Sequence, residues 1–265
     1  MSELPSPHLE MDRLWDRGVG DLFFEGVHRA ATPTAVLLAG VPGTSLTAAR
    51  TELRDRFSTK SGAAFFDING LRDLHPGYAQ LQQRGQHRSA AEKVHGEVTY
   101  LWRKAHHAAR QAGCNVVAEG ALRDSDAVEQ LLRDYRQAGY RVEVAIVAAH
   151  PSRTWLACLR RYELEKQHYG VGKYTEPSVH AAAVRNMPGI AEVIEREGLA
   201  DRVSVLRQDG TTVYSSIPAR EAGQVTGGSR GHRSRAQPGL DTRRDSVLRL
   251  LHATTAGDDR DQVGG

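Results

Sequence analysis

The sequence predicts an α/β protein with a mostly parallel sheet, and three observations carry that prediction. Short apolar runs recur along the chain, helical patterns of ten or more residues separate them, and a glycine turn joins the first run to the first helix. AVLLA at 35–39 is the first strand, and 47–57 is the helix that follows it. AAFFDI at 63–68 is the second strand. A long helical segment over 89–112 then places Val94, Val98, Leu101 and Trp102 at helical spacing. NVVA at 115–118 is the third strand, and 125–138 a helix that Gly139 stops in a C′ position. The run 140–149, with Val142, Val144, Ile146 and Val147, is the strongest strand signal. Pro151 suits the first turn of the next helix, which runs to about His168, with His150 a poor cap by residue type. A helix near 188–197, a strand RVSVL at 202–206 and a short strand at 212–214 complete the pattern, after a helical lead-in over the first 30 residues.

A chain of 265 residues can bury one sizeable α/β core. The net charge of +3 leans towards anionic small molecules and gives no case for nucleic acid. Cys114 and Cys158 lie in apolar contexts without a C-x-x-C, so both are expected as buried free thiols. No basic-then-apolar leader and no run of membrane-spanning length is evident, which makes a soluble cytoplasmic protein without a membrane partner the expectation. Composition divides the chain into a core domain over 1–218, a Gly/Arg-rich linker over 219–245 and a short helix with a polar tail over 246–265. The linker carries six arginines against three acids and almost nothing apolar. No aromatic residue interleaves with them, so an RNA-binding arm is not the preferred reading.

Ligands of such sheets bind at the carboxyl ends of the strands, and the polar residues of interest fall there. GVPGTSLT, Gly40 to Thr47, follows the first strand and opens a helix, which is the setting of a phosphate loop of the form G-x-x-x-x-G-K-[ST]. Gly40 and Thr47 match the pattern, whereas Ser45 replaces the second glycine and Leu46 replaces the lysine. Gly43 and Thr44 supply further backbone N–H groups to a phosphate, and Thr47 offers a hydroxyl to Mg2+. Leu46 removes the cation that offsets charge during transfer. A turn of purely structural use is the alternative.

FFDINGLRDLHPGY, from Phe65 to Tyr78, brings Asp67 and Asn69 to one side of a strand end, followed by Arg72. Asp67 could hold a metal-bound water and Arg72 an anionic substrate. Asn69 cannot take a proton from a hydroxyl. A helix start capped by Asn69 is the plainer alternative. Glu119 ends the third strand in VVAEGALRD, with Arg123 close behind, and either a ligand-orienting carboxylate or a solvated strand end fits. Arg160, Arg161, Lys166 and Lys173 follow the strongest strand and could clamp phosphates from above, in compensation for Leu46, or form a basic solvated face. The histidines have no metal-ligand spacing.

Together these segments resemble the zeta toxin family of P-loop kinases. The resemblance rests on the glycine loop, on D-x-x-x-L-R-x-x-H-P (Asp67, Leu71, Arg72, His75, Pro76), on NVVAEGALRD, and on GYRVEV leading to LRRYE at 159–163, and it spans about 21–214. It implies a three-layer α/β/α kinase-like fold that uses ATP or GTP with Mg2+. It also implies a nucleotide-sugar substrate such as UDP-N-acetylglucosamine and a small helical antitoxin as partner. Thr47 would then be the Mg2+ ligand, and Arg72, Glu119 and Arg123 would line the substrate site. Arg161, or Arg160, and Lys173 would contact phosphate. The family carries lysine where this chain has Leu46, aspartate as the presumed base where it has Asn69, usually arginine where it has Lys173, and aspartate where it has Ala181. Three readings follow: a nucleotide- or nucleotide-sugar-binding pseudokinase, an altered but active phosphotransferase, and an interaction domain without ligand.

Overall fold

The computed structural model describes residues 8–59 and 61–216, together with Leu251. The lead-in is α1 (Leu9–Leu14), which passes through a π-helical turn, Trp15–Val19, into α2 (Gly20–Phe24). The core follows as β1 (Thr34–Ala39), α3 (Thr47–Ser58), β2 (Ala64–Asp67), α4 (Ile68–Asp73), α5 (Pro76–Gln83), α6 (His87–Lys93) and α7 (His95–Ala112). It continues as β3 (Val116–Gly120), α8 (Ser125–Gln137), β4 (Arg141–Val147), α9 (Pro151–Tyr169), α10 (Pro177–Arg196), β5 (Arg202–Leu206) and β6 (Thr212–Ser216).

The strands form one sheet in the order β2-β3-β1-β4-β5-β6, parallel except for β6 at the edge. Alternation along β1 divides the core in two. Ala35, Leu37 and Ala39 share the larger cluster with Ala105 and Ala109 of α7, Tyr135 of α8 and Met187 of α10. Val36 and Leu38 face Ala49, Leu53 and Phe57 of α3. The two faces make the three layers that the strand–helix alternation predicts. A third cluster of Met11, Leu71, Tyr78, Val94, Val98 and Leu101 joins the lead-in to α4–α7.

Two buried polar residues fix the sheet. Asn115 accepts a hydrogen bond from the Thr34 N–H at 3.0 Å and donates to the Gly62 carbonyl at 2.9 Å, which ties together the starts of β1, β3 and β2. Glu143 in β4 receives both guanidinium Nη atoms of Arg56, at 2.7 and 2.8 Å, and so clamps α3 to the sheet. Burial works most strongly against the Glu143 charge, but the Arg56 hydrogen bonds and the charges of Arg56, Arg202 and Arg141 together outweigh it and hold the carboxyl below its usual range. The chain leaves β1 towards β2 on one side and leaves β4 towards β5 on the other. The switch point of the sheet therefore lies between β1 and β4, with the glycine loop at its mouth.

Some elements differ from expectation for local reasons. The single helix expected over 89–112 is broken: the chain turns at Val94 (φ −99°, ψ 4°), which lets Ala90, Val94 and Val98 reach one cluster. The helix expected near 188–197 begins eleven residues earlier, at Pro177. It runs through Pro188 because the buried stripe Ala183, Met187, Ile190, Ala191 and Ile194 holds it. His150 does cap α9, its ring nitrogen accepting from the Ser152 N–H. Gly139 (φ +80°) stands just past α8, as expected of a C′ residue. The linker expected at 219–245 lies outside the described residues, as does the helix expected at 246–252 save for Leu251. That residue is helical and fully buried within the larger cluster. Cys114 and Cys158 are buried free thiols, as anticipated.

Of the adjacent pair on α7, His107 is exposed and His106 is sealed between Phe66, Trp102 and Tyr135. Its Nδ1 lies 2.5 Å from the Tyr135 hydroxyl and its Nε2 has no partner. Burial, aided by the charge of Arg110, lowers its pKa from 6.5 to about 3. Below 6.5 the unfolded chain therefore binds a proton that the folded one refuses, so stability falls with pH until about 3. Calorimetric melting across this window is expected to show a fall of up to about 1.4 kcal/mol per pH unit from this group. His106→Gln, which keeps a partner for Tyr135, should flatten that fall.

Candidate functional site

The loop after β1 turns back on itself, with the Thr44 N–H donating to the Val41 carbonyl at 3.0 Å. Gly43 has φ +91°, a conformation that disfavours a side chain. A β-carbon there would lie 2.0 Å from the Thr154 carbonyl oxygen and 2.9 Å from Cys158 Sγ, both of α9. Thr154 is itself anchored: its hydroxyl pairs with His180 Nε2 of α10 and with the Pro151 carbonyl, each at 2.9 Å. Helix α9 is thus pressed onto the loop across the switch point.

The Leu46 side chain is partly buried. Its Cδ2 lies 3.2 Å from the position of a β-carbon on Gly40, and the side chain packs against the cluster of Val36, Leu38, Ala49 and Leu53. Its carbonyl accepts the Arg50 N–H at 2.8 Å and opens α3. That helix starts without a side-chain cap and without an acid in its first turn, so its N–H groups and positive dipole end face the loop. Thr47 and Ser45 are exposed, their hydroxyl oxygens 3.5 Å apart.

Asp67 and Glu119 are direct register partners at the carboxyl ends of β2 and β3. Asn69 does not lie beside Asp67 as an alternating strand would put it. The strand ends at Asp67, whose Oδ1 accepts the Asn69 N–H at 2.9 Å and caps α4, so Asn69 is a helical residue. The cap is thus Asp67, and the alternative in which Asn69 caps the helix does not hold. The Asn69 carbonyl oxygen accepts from Arg72 Nη1 at 3.1 Å. Glu119 is buried, and Arg50 grips it in a bidentate pair, Nε to Oε1 and Nη2 to Oε2, both at 2.5 Å. That hydrogen bonding raises the Arg50 pKa against the cost of burial, and the charges of Glu119 and Asp67 raise it further.

Three more cations close the cleft. Arg72 and Lys173 are both pushed down by burial, and each lies in the field of Asp67 and Asp73 and of a neighbouring cation. Lys173 Nζ reaches Asp73 at 3.4 Å, and its backbone N–H donates to Glu165 at 2.7 Å. Arg161 Nη2 donates to the Thr175 hydroxyl at 3.3 Å. The Nε atoms of Arg72 and Arg161 are buried without a partner. Gly172 lets the loop bearing Lys173 lie against α9, since a β-carbon there would be 2.4 Å from the Tyr162 carbonyl.

The fold therefore gathers Gly40, Gly43, Thr44, Ser45, Leu46 and Thr47 at one wall, and Asp67, Asn69, Arg72, Glu119, Arg161 and Lys173 around them. Arg123 is exposed, and its carbonyl accepts from Asn186. Arg160 is exposed on α9, away from the inward-facing Thr154 and Cys158. Sequence reasoning missed Arg50, although its place three residues after Thr47 puts it on the next turn of the same helix. It also missed the Thr154–His180 contact, which no local spacing reveals. A separate cavity of about 450 Å³ lies at the opposite end of the sheet, lined by Arg29, Pro33, Arg110, Gly113 and Tyr140, and shares no residue with this cleft. Among the described residues no cluster of three or more His, Cys, Asp or Glu is disposed to hold a metal, and no helix is long and apolar enough to cross a membrane.

The family model described as zeta toxin matches residues 23–217. The chain belongs to the zeta toxin family. Toxin zeta of Enterococcus hirae is 23% identical over 194 residues, which cover 73% of this chain and 67% of that protein. Toxin PezT of Streptococcus pneumoniae is 25% identical over 199 residues, covering 72% and 75%. A solved structure of the PezAT chromosomal toxin–antitoxin system of S. pneumoniae superposes with a TM-score of 0.69 at 20% identity, covering 83% of this chain and 87% of that one. The zeta toxin fold is thus the fold of this chain, and the glycine loop, DINGLRDLHP and VVAEG segments all lie within residues 23–217.

Gly43 offers a direct check on the loop's setting. Gly43→Ala meets a helical backbone carbonyl that can yield only if α9 moves. The substitution should lower stability by at least ~2 kcal/mol in chemical denaturation, through strain and clash combined. Ser45→Ala, at an exposed position with only a long hydroxyl contact, should change it by less than ~0.5 kcal/mol.

Proposed function

We propose that this chain is a nucleotide- or nucleotide-sugar-binding pseudokinase of the zeta toxin fold, with a regulatory or scaffolding role. The observation that carries this reading is the position of Leu46. The residue in the lysine position is a leucine that packs, partly buried, against the α3 side of the core, so the loop offers no cation there to neutralise charge on a transferring phosphoryl group. Asn69, in the base position, is neutral and already bonded to Arg72. What remains is suited to holding an anion. The loop N–H groups and the start of α3 take one phosphate, and Arg72 and Arg161, whose Nε atoms have no partner, take another anionic group together with Lys173. ATP or GTP is the expected nucleotide, with Glu119 and Arg123 near the remainder of a nucleotide sugar.

The Mg2+ that the family implies does not fit the residues as they stand. Both Glu119 oxygens are held by Arg50, one Asp67 oxygen caps α4, and Thr47 lies at the surface beside Ser45. A small helical antitoxin-like protein is the expected partner, by analogy with the toxin–antitoxin system to which the PezT relative belongs.

An altered but active phosphotransferase is the second reading, favoured by the three cations, Arg50, Arg72 and Lys173, that converge near Asp67. The two are separated by calorimetry and a transfer assay. ATP or GTP is expected to bind without measurable γ-phosphate transfer to UDP-N-acetylglucosamine. The pair Leu46→Lys and Asn69→Asp should raise transfer about 10²-fold or more, the usual worth of such an electrostatic contribution. Turnover in the unaltered chain that this pair does not increase would favour the altered enzyme. Absence of heat from nucleotides and UDP-sugars alike would remove the binding role.

A further inference from the structure

The carboxyl ends of β2 and β3 place two carboxylates side by side. Asp67 and Glu119 are register partners, and each stands two residues beyond a residue, Phe65 or Val117, that packs on the α3 side of the sheet. Side chains two apart on a strand share a face, so both carboxylates point to the side on which α3 begins. Adjacent carboxylates next to a phosphate loop are the donor set with which a divalent cation bridges protein and phosphate.

Here the charge that meets them belongs to the protein. Arg50 lies four residues after Leu46, one helical turn further along α3, so the positive charge absent from the loop returns on the adjoining turn. Its guanidinium engages both Glu119 oxygens at 2.5 Å, and the Glu119 side chain is only 7% exposed. One Asp67 oxygen is committed to the α4 cap. Three of the four carboxylate oxygens are thus satisfied without metal. A hard cation would have to break a bidentate pair on a buried carboxylate and leave a guanidinium that cannot shed its charge.

We propose that Arg50 is the resident cation of this strand-end site, standing where a divalent ion would bridge the carboxylates to phosphate, so that the site receives its anionic ligand metal-free. The identity of the ligand rests on the nucleotide-binding reading, but the exclusion of metal does not.

Titration of the full chain with Mn2+ alone, followed by the electron paramagnetic resonance of the free ion, tests the exclusion without any nucleotide. The unaltered protein should take up no Mn2+ up to about 1 mM through these carboxylates. Arg50→Gln removes the charge but keeps a donor for Glu119, and should gain one site at least tenfold tighter, lost again in Arg50→Gln/Glu119→Gln. A folded Arg50→Gln without that gain would overturn the proposal, as would saturable uptake by the unaltered chain that Glu119→Gln abolishes. The comparison of the unaltered chain with Glu119→Gln stands by itself if Arg50→Gln does not fold. In a parallel arm, ATP affinity should change less than threefold between excess Mg2+ and EDTA, and a tenfold gain with Mg2+ would overturn the proposal. No ATP binding in either buffer would sink the nucleotide reading, and the Mn2+ arm would then decide the role of Arg50.

Discussion

The Thr154 carbonyl lies where a β-carbon on Gly43 would have to go, and much of the cleft is arranged around that close approach. It brings the start of α9 down onto the loop that follows β1 and so seals the two sides of the switch point together. Position 43 must be glycine on two counts, the positive φ and the space, and these are independent demands. The Thr154 hydroxyl then carries the contact outward to His180, so α10 helps to set the loop. The inward face of α9 continues through Cys158, and one turn beyond it Arg161 comes to the cleft. The packing that fixes the loop also delivers one of its cations.

Much of the architecture was legible because it is written in periodicity. The five parallel strands and the longer helices between them followed from apolar runs and their spacing, whereas α4 and α5 did not, and the carboxyl-end rule marked Gly40, Asp67 and Glu119 before any geometry was known. What failed was decided by competing local bonds. Asn69 looked like a partner of Asp67 on a strand, yet the Asp67 carboxylate satisfies a helix N–H and ends the strand first. Val94 looked like an interior helix position, yet its burial with Met11 and Leu71 is reached by a turn. Arg160 and Arg161 were equivalent as letters. Helix phase separates them, with Arg160 exposed and Arg161 partly enclosed beside Thr175. Arg50 escaped notice because a lone arginine on an amphipathic helix has no signature until its partner, 69 residues away, is known.

Leu46 and Arg50 belong together in physical terms. An apolar residue at 46 extends the small core between α3 and the sheet, where it joins Val36 and Leu38. A lysine there would have to direct its ammonium outward or carry an uncompensated charge into that core. The leucine is therefore not an idle gap in a motif but part of the packing that seats α3. With α3 so seated, Arg50 meets Glu119 one turn on, and Arg56 meets Glu143 nearly two turns later. The helix is docked by apolar contacts between two bidentate arginine–carboxylate pairs, a geometry that fixes its rotation as well as its distance from the sheet.

That rigidity bears on the proposed binding role. Arg50 is held by Glu119, Arg72 by Asn69 and Lys173 by Asp73, so each cation already has a protein partner that fixes its place. On the proposed reading these cations hold the anion itself, and interactions of equal strength before and during transfer strengthen binding without lowering the barrier. A flexible lysine at the tip of a loop differs, because it can follow charge as it develops on the phosphoryl oxygens. With that lysine absent and Asn69 neutral, the proposed pseudokinase reading assigns the remaining contacts to the ground state. On that reading the cations that draw an anion into the cleft hold it without driving a reaction forward.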